Sequence, residues 1–383
     1  MRMMRAAVLV DVGRVEVMDV PYIAPKSHEV VVRVQAVGLC GSDWQIFGGH
    51  GNYNFDSFGR PIPLSEHPQI LGHEIAGVIE EVGSDVRDLV AGDRVILDQG
   101  RTCISEHRTP VCEFCLSGDS HQCEDYKEHG ITGMPGGFAE FVTVPALNAV
   151  PLRSRLAPEL AAMSEPLGCI LHSMALLGRS ASRYRLDGTS GDRVARTVLV
   201  CGGGPAGLLF VQYLRNVAKF DGLVLLTEPN ALKRSLAERW GAVTIDPTAG
   251  NLAEHVKELS SGRGAEILIE ASGNGPLFRD IPGLLRKQAS VLLYGHGHSG
   301  VELSVMNAVQ FREPTLVSPI GASGGHDADG RPVIYRQALQ LLEDGVIEVA
   351  PMITHRYSSL DDVPRAFGGE HRRPDYVKGV LLQ

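Results

Sequence analysis

Apolar residues in the first 150 positions fall in short runs cut by Gly, Pro and Asp. The pattern predicts strands over 6–10, 15–20, 29–37, 74–82, 94–97 and 138–144, and helical spacing is scarce there. From about Glu165 the texture changes, with helical stretches alternating with apolar runs at 197–201, 223–227, 267–270, 291–294 and 315–317. That alternation predicts a parallel sheet with crossover helices, and so an α/β class for this part of the chain. After Gly321 come a loop over 322–331, a helix over 334–343, a strand near Ile353 and a last strand over 376–382, a tail able to return to the first domain. No fixed-period repeat, low-complexity tract or Pro-rich linker is present, so the change of texture near 161–165 predicts a packed hinge.

Composition narrows the function classes. Of 383 residues, 44% are hydrophobic and 21% charged, which excludes disorder and a disulfide miniprotein. Lys+Arg 36 against Asp+Glu 45 gives a net charge of −9, which argues against nucleic acid or an anionic membrane as partner and for a small molecule. No apolar run approaches the ~18 residues that span a bilayer, and no export signal is visible. Four of the seven cysteines, Cys103, Cys112, Cys115 and Cys123, share one short window, as metal thiolates in a reducing compartment do; the expected location is the cytoplasm.

The run 197–201 leads into Gly202-Gly203-Gly204-Pro205-Ala206-Gly207 and then an apolar helix, which sets G-x-G-x-x-G in a strand-turn-helix context. Gly202 allows the tight turn, Gly204 lets backbone approach a pyrophosphate, and Gly207 permits close packing of helix on strand. The helix N-terminus through Pro205 and Ala206 supplies amide donors. Glu228 ends the next strand, where a carboxylate accepts from an adenosine ribose and repels a 2′-phosphate. NAD is therefore expected over NADP, although Lys233 and Arg234 lie just beyond.

Two metal constellations are legible. Cys103, Cys112, Cys115 and Cys123 make a closed four-thiolate cage for zinc, with His107 or His121 as substitute ligands because eight residues separate Cys103 from Cys112 where a compact knuckle has two. Cys40-Gly41-Ser42-Asp43, Gly72-His73-Glu74 and Glu165-Pro166-Leu167 are dispersed along the chain, and one Cys, one His and one carboxylate leave a fourth position open, as a catalytic zinc requires.

In this order, with Gly136-Gly137-Phe138-Ala139-Glu140 between the cysteine window and Glu165, the motifs resemble those of the zinc-dependent medium-chain dehydrogenases/reductases along nearly the whole chain. Glu74 after His73 and Glu165 before Pro166 resemble the sorbitol, glucose and threonine dehydrogenase branch. The resemblance implies a GroES-like catalytic β domain over 1–165, completed by 322–383, and a doubly wound Rossmann domain over 166–321. It also implies that Cys40 and His73 bind the catalytic zinc with Glu74, Glu165 or both, that Ser42 passes the substrate proton outward, and that Glu228 and Lys233 contact the ribose. Gly295 or His296 would offer a backbone contact to the nicotinamide. The implied reaction is reversible oxidation of a secondary hydroxyl of a polyol, sugar or cyclitol. The alternatives are a threonine-type amino-alcohol dehydrogenase and a non-catalytic zinc-lobe module or redox sensor. Pairing of the edge strand 315–317 between subunits would give a homo-dimer or homo-tetramer.

Gln45 stands where relatives often carry a relay histidine, and it cannot titrate near neutral pH. The segment from Cys40 to His73 looks longer than in close relatives, and its His50, Tyr53, Asn54, Phe55, Asp56, Phe58 and Arg60 could face a sugar or a subunit contact. Cys169, Cys201 and His172 read as packed core residues, and His298 follows the strand 291–294 near the nicotinamide end.

Overall fold

The structure, a computed structural model, describes residues 2–187 and 193–383. The chain divides into two units: residues 1–169, 321–345 and 353–383, and residues 170–320 with 346–352. The segment 346–352 therefore goes with the second unit, not with the tail of the first. Its backbone is held there by Gln212, whose amide donates to the Glu348 carbonyl (2.9 Å) and accepts from its N–H (2.7 Å).

The first unit is built on a seven-stranded sheet. Its path runs Ile353–Tyr357, Lys378–Leu382, Glu29–Gly38, Glu74–Val82, Arg94–Leu97, Ala149–Pro151, and Phe141–Pro145 also pairs with Glu29–Gly38. The valine-rich strand Glu29–Gly38 is buried on both faces for most of its length, so it reads as a continuous apolar run. Val30, Val32, Ile75, Val95 and Phe138 form the core around it. Register is what prepares the site: Gly38 lies opposite Glu74 on one side and Val380 on the other. The strand end that carries Cys40 thus meets the strand start that carries His73-Glu74 and the strand that carries Lys378. Gly38 is required by close approach, because a Cβ there would run into the Glu74 carboxylate.

The second unit carries a six-stranded parallel sheet in the order Val243–Ile245, Leu223–Thr227, Thr197–Cys201, Ala265–Glu270, Leu285–Leu293, Thr315–Val317. Numbered along the chain this is 3-2-1-4-5-6, the doubly wound order of a Rossmann sheet. Leu199, Leu225, Leu268 and Val291 form its core.

Several expectations are corrected. The strand expected over 138–144 begins at Phe141, because Phe138 bonds instead to Leu71 and Ala7 on different segments. The expected 291–294 strand begins six residues earlier, at Leu285. Pro158–Arg179 does have the length and hydropathy of a membrane-crossing helix, although no single apolar run there shows it. With 78% of that window buried inside the protein, it is a core element.

Candidate active site

Cys40 caps the helix Gly41–Phe47 in an extended conformation, and Asp43 one turn on reaches back so that its carboxylate accepts from the Cys40 N–H (2.8 Å). The other Asp43 oxygen accepts from the Gly72 N–H (3.2 Å) and stands 3.6 Å from His73 Nδ1. One fully buried carboxylate thus fixes both segments and faces the imidazole nitrogen remote from the site. An outer carboxylate of this kind sets the tautomer of a ligating histidine. His73 Nε2 lies 3.3 Å from the Ser42 hydroxyl.

One ligand atom each of Cys40, His73 and Glu74 lies within 4.8 Å of the others. Glu165 is outside that group. Its Oε1 accepts from Gln99 Nε2 (2.9 Å) and from the Cys169 thiol (3.2 Å), one helical turn away on Ser164–Arg179. The sequence left the two carboxylates unranked; the folded chain groups Glu74 with the thiol and imidazole and holds Glu165 on Gln99 and Cys169. Cys169 also needs correction. It is buried as expected, but against the Glu165 carboxylate and not in apolar surroundings, and burial pushes its thiol pKa up.

Two further groups escaped sequence reasoning. Lys378 Nζ donates to Glu74 Oε1 at 2.6 Å, with both side chains almost wholly buried. It arrives from 304 positions along the chain, so no local signal exists. Behind Glu165, Tyr335 donates to Gln99 Oε1, while Gln99 Nε2 also reaches Glu128 Oε1 (3.1 Å). Asp43 did have a signal, its place three residues after Cys40 at a helix start.

The donor set fits a zinc ion. Glu74 Oε2 is buried with no hydrogen-bond partner. Burial disfavours a charged imidazole, yet Asp43 and Cys40 outweigh it and hold the His73 pKa well above its ordinary value, so the pocket favours a cation. Burial pushes Glu165 up to about 7 and Asp98 up to about 8.

The second cluster also assembles. All four sulfurs of Cys103, Cys112, Cys115 and Cys123 lie within 4.8 Å of one another, so the long first spacing closes after all. The Cys103–Cys112 sulfur separation of 3.7 Å matches the edge of a tetrahedron with Zn–S bonds of ~2.3 Å. Backbone N–H groups of Cys103 and Cys112 point at Cys123 and Cys103 sulfurs (3.3 and 3.4 Å). Neither substitute histidine joins: His121 stacks on Tyr126 with its Nε2 4.0 Å from Asp98, and His107 packs on His28.

In the second unit, Gly202 has φ +105°, nothing lies within 4 Å of a Cβ built on Gly204, and a Cβ on Gly207 would collide with the Gly202 carbonyl. Gly202 thus makes the tight turn and Gly207 the close helix packing, while Gly204 faces open space. The helix Pro205–Gln212 starts at Pro205, with Ala206 in its first turn. Glu228 is fixed at the strand end, accepting from the Gly203 N–H (2.8 Å) and the Asn230 N–H (2.9 Å). Lys233 lies in the first turn of Ala231–Arg239, its N–H on the Asn230 cap. A cavity of about 630 Å³ is lined by Gly202, Glu228, Asn251, Ser272, Asn274 and neighbouring residues. The Gly295 N–H is engaged by the Glu270 carbonyl (2.8 Å), so only its carbonyl remains for a ligand. His296 is exposed at its surface, and partial desolvation together with His298 lowers its pKa.

The fold and the two donor sets define a metal-dependent oxidoreductase that uses a nicotinamide dinucleotide. Residues 26–154 match the alcohol dehydrogenase GroES-like domain and residues 205–344 the zinc-binding dehydrogenase domain. The chain belongs to the zinc-dependent medium-chain dehydrogenase/reductase family. It is 30% identical over 351 residues to an L-threonine 3-dehydrogenase of Anaeromyxobacter sp. (strain Fw109-5), covering 91% of this chain and 90% of that one. A protein of Sinorhizobium meliloti 1021 described as a zinc-binding dehydrogenase, solved with NADP, superposes with a TM-score of 0.78 at 29% identity over 100% of both chains. Galactitol-1-phosphate dehydrogenase of Escherichia coli shares the fold, with a TM-score of 0.78 at 24% identity over 99% of this chain and 100% of that one.

Proposed function

We propose that the protein oxidises a secondary hydroxyl of a neutral polyol, sugar or cyclitol to the carbonyl, reversibly, with NAD as hydride acceptor. The observation that carries the choice of a neutral substrate is the state of the lysine at the donor cluster. Lys378 is locked to Glu74 at 2.6 Å. A substrate carboxylate seeking that ammonium would have to displace Glu74 from it, whereas hydroxyls need only hydrogen-bond partners.

Cys40 and His73 would hold the zinc, with Glu74 as the carboxylate grouped with both and Glu165 in reserve. Zinc bound there supplies Lewis-acid polarisation of the substrate hydroxyl. Asp43 keeps the His73 ring oriented, and Lys378 fixes Glu74 through Oε1. The half-buried Ser42 Oγ is the group that accepts the hydroxyl proton and hands it to water, since Gln45 cannot titrate. Asn54, Tyr53 and Phe55 are the chain's own candidates for sugar contact. Asn54 is buried with its amide nitrogen unpartnered, whereas Tyr53 and Phe55 are exposed.

NAD preference is supported by Glu228, and by Arg234 being turned away onto the Glu228 and Pro229 carbonyls (2.8 and 2.7 Å) and Asp246 (3.1 Å). A 2′-phosphate would meet a fixed carboxylate with its nearest guanidinium engaged elsewhere. The seven cysteines, all free of disulfides, support a cytoplasmic location. The sheet edge Thr315–Val317, with Leu316 and Phe311 exposed, supports a homo-dimer or homo-tetramer.

The threonine-type reading is favoured by the 30% identical relative. The deciding experiment is nicotinamide reduction across polyols, aldoses, cyclitols, L-threonine and simple alcohols, each with NAD and with NADP. Turnover confined to neutral polyhydroxylated substrates supports the proposal; preference for L-threonine overturns it.

A further inference from the structure

The entry to the strand Glu29–Gly38 meets the long loop between Cys103 and Cys112 at a third group of ligand-type atoms. One atom each of His28, Glu29 and Glu106 lies within 4.8 Å of the others, the same closeness found in the two clusters already described. Glu29 is buried and the Glu106 side chain is only 12% exposed. His28 Nε2 is buried without a hydrogen-bond partner and stands 3.7 Å from Glu106 Oε2, beyond hydrogen-bond length. The His107 ring packs edge-on against His28 at 5.6 Å and fixes its orientation.

Each carboxylate is already oriented from one side. Arg101 holds Glu106 through Oε1 alone (2.6 and 2.5 Å), which leaves Oε2 facing His28. Lys26 holds Glu29 through its backbone N–H (2.9 Å) and Nζ (3.1 Å). A carboxylate has about four lone-pair sites, so these partners leave acceptor capacity unused. Outer hydrogen bonds of this kind are what orient carboxylate ligands in metal centres.

His129, outside that group of three, also carries an unpartnered imidazole nitrogen. His129 is 3% exposed, and its Nδ1 lies 2.9 Å from the Pro135 carbonyl, which can only accept. The proton therefore sits on Nδ1, and Nε2 is a bare lone pair, buried and unpartnered. Burial holds this ring neutral, with its pKa pushed down to about 4, and it feels the charges of Arg101, Glu29 and Glu106. The His28 nitrogen without a partner, beside two carboxylates, is a group a cation satisfies and the surrounding hydrogen bonds do not.

We propose that His28, Glu29 and Glu106 bind a third divalent cation of the zinc class, tying the strand entry to the loop that carries the four thiolates. Imidazole with carboxylates suits zinc and its transition-metal neighbours better than the all-oxygen sets that calcium and magnesium prefer. Glu106 belongs to the eight-residue spacing that is long for a compact knuckle, so the site exists because that loop is long. The inference is independent of the substrate reading.

The test is metal content of the full-length holoenzyme after equilibration with Zn²⁺ and desalting. Three zinc ions per chain are expected in the wild type, and two in His28→Gln and in Glu106→Gln, with activity retained. Replacement by Co²⁺ gives a second readout: the third ion adds weak d–d absorption without thiolate charge-transfer bands, and the same variants lose that absorption. Two ions in the wild type, or three in both variants, overturns the proposal. Should a variant fail to fold, Co²⁺ titration of the wild type decides, since absence of a third, sulfur-free component overturns the site by itself.

Discussion

The two sulfur-bearing clusters of the first unit differ in how they are assembled. The four-thiolate lobe draws all its donors from 21 consecutive positions, Cys103 to Cys123, and two backbone N–H groups in the same window point at their sulfurs. The Cys40–His73–Glu74 site draws on strand ends and a helix start far apart in the chain, with Lys378 and Glu165 supporting from further still. The first set is closed and soft; the second is mixed and leaves a position for another ligand. A local cluster organises its own loop, whereas a dispersed one depends on the whole β domain keeping register.

Five single variants and one double variant break or sharpen that contrast. Cys40→Ser should lower kcat by about 10³-fold or more, since the metal's several kcal/mol of charge stabilisation is lost. Metal analysis should show loss of one ion, with nicotinamide binding, followed by fluorescence, unchanged. Cys115→Ser should instead remove the other ion and lower the melting temperature, with kcat per remaining active-site ion reduced less than about tenfold. Equal kinetic damage from the two would erase the distinction.

Lys378→Met leaves Glu74 buried without its partner, a loss of about 3–5 kcal/mol by denaturant unfolding. Lys378→Met combined with Glu74→Gln should recover part of that stability but not the activity. Glu228→Ser acts on the second unit alone and should shift the NADP/NAD ratio of kcat/KM upward by about 10²-fold, leaving metal content and stability near wild type.

Asp98→Asn should affect turnover least and report through pH. Burial raises the folded-state pKa of Asp98 to about 8 from the ordinary 3.8, so the folded protein keeps a proton that the unfolded chain releases. Its contribution is present in full at acid pH and is lost as pH rises through about 8. Melting temperature followed from pH 5 to 9 should therefore fall less steeply in Asp98→Asn. An unchanged slope would show that Asp98 is ionised in the folded protein.

Much of the fold was legible because its signals are local. The runs at 197–201, 223–227 and 315–317 are the observed strands without adjustment, since short apolar runs flanked by turn residues have sharp ends. Phe138 misled because its apolar neighbours are shared among Leu71, Ala7 and the following strand rather than forming one ladder. Cys169 misled because its sequence neighbours are apolar while the turn before it on the helix presents Glu165.

The sequence by itself determined the donor types, the glycine turn with its acidic partner at Glu228, and the closed thiolate lobe, because each of these depends on residues within a few turns of one another. Only the tertiary structure decided that Glu74 stands with Cys40 and His73 while Glu165 is held by Gln99, that Lys378 neutralises Glu74, and that Gly295 has no N–H to offer. Those outcomes depend on strand register and on contacts closed across hundreds of residues. A one-residue slip in register would turn each side chain to the other face of its sheet.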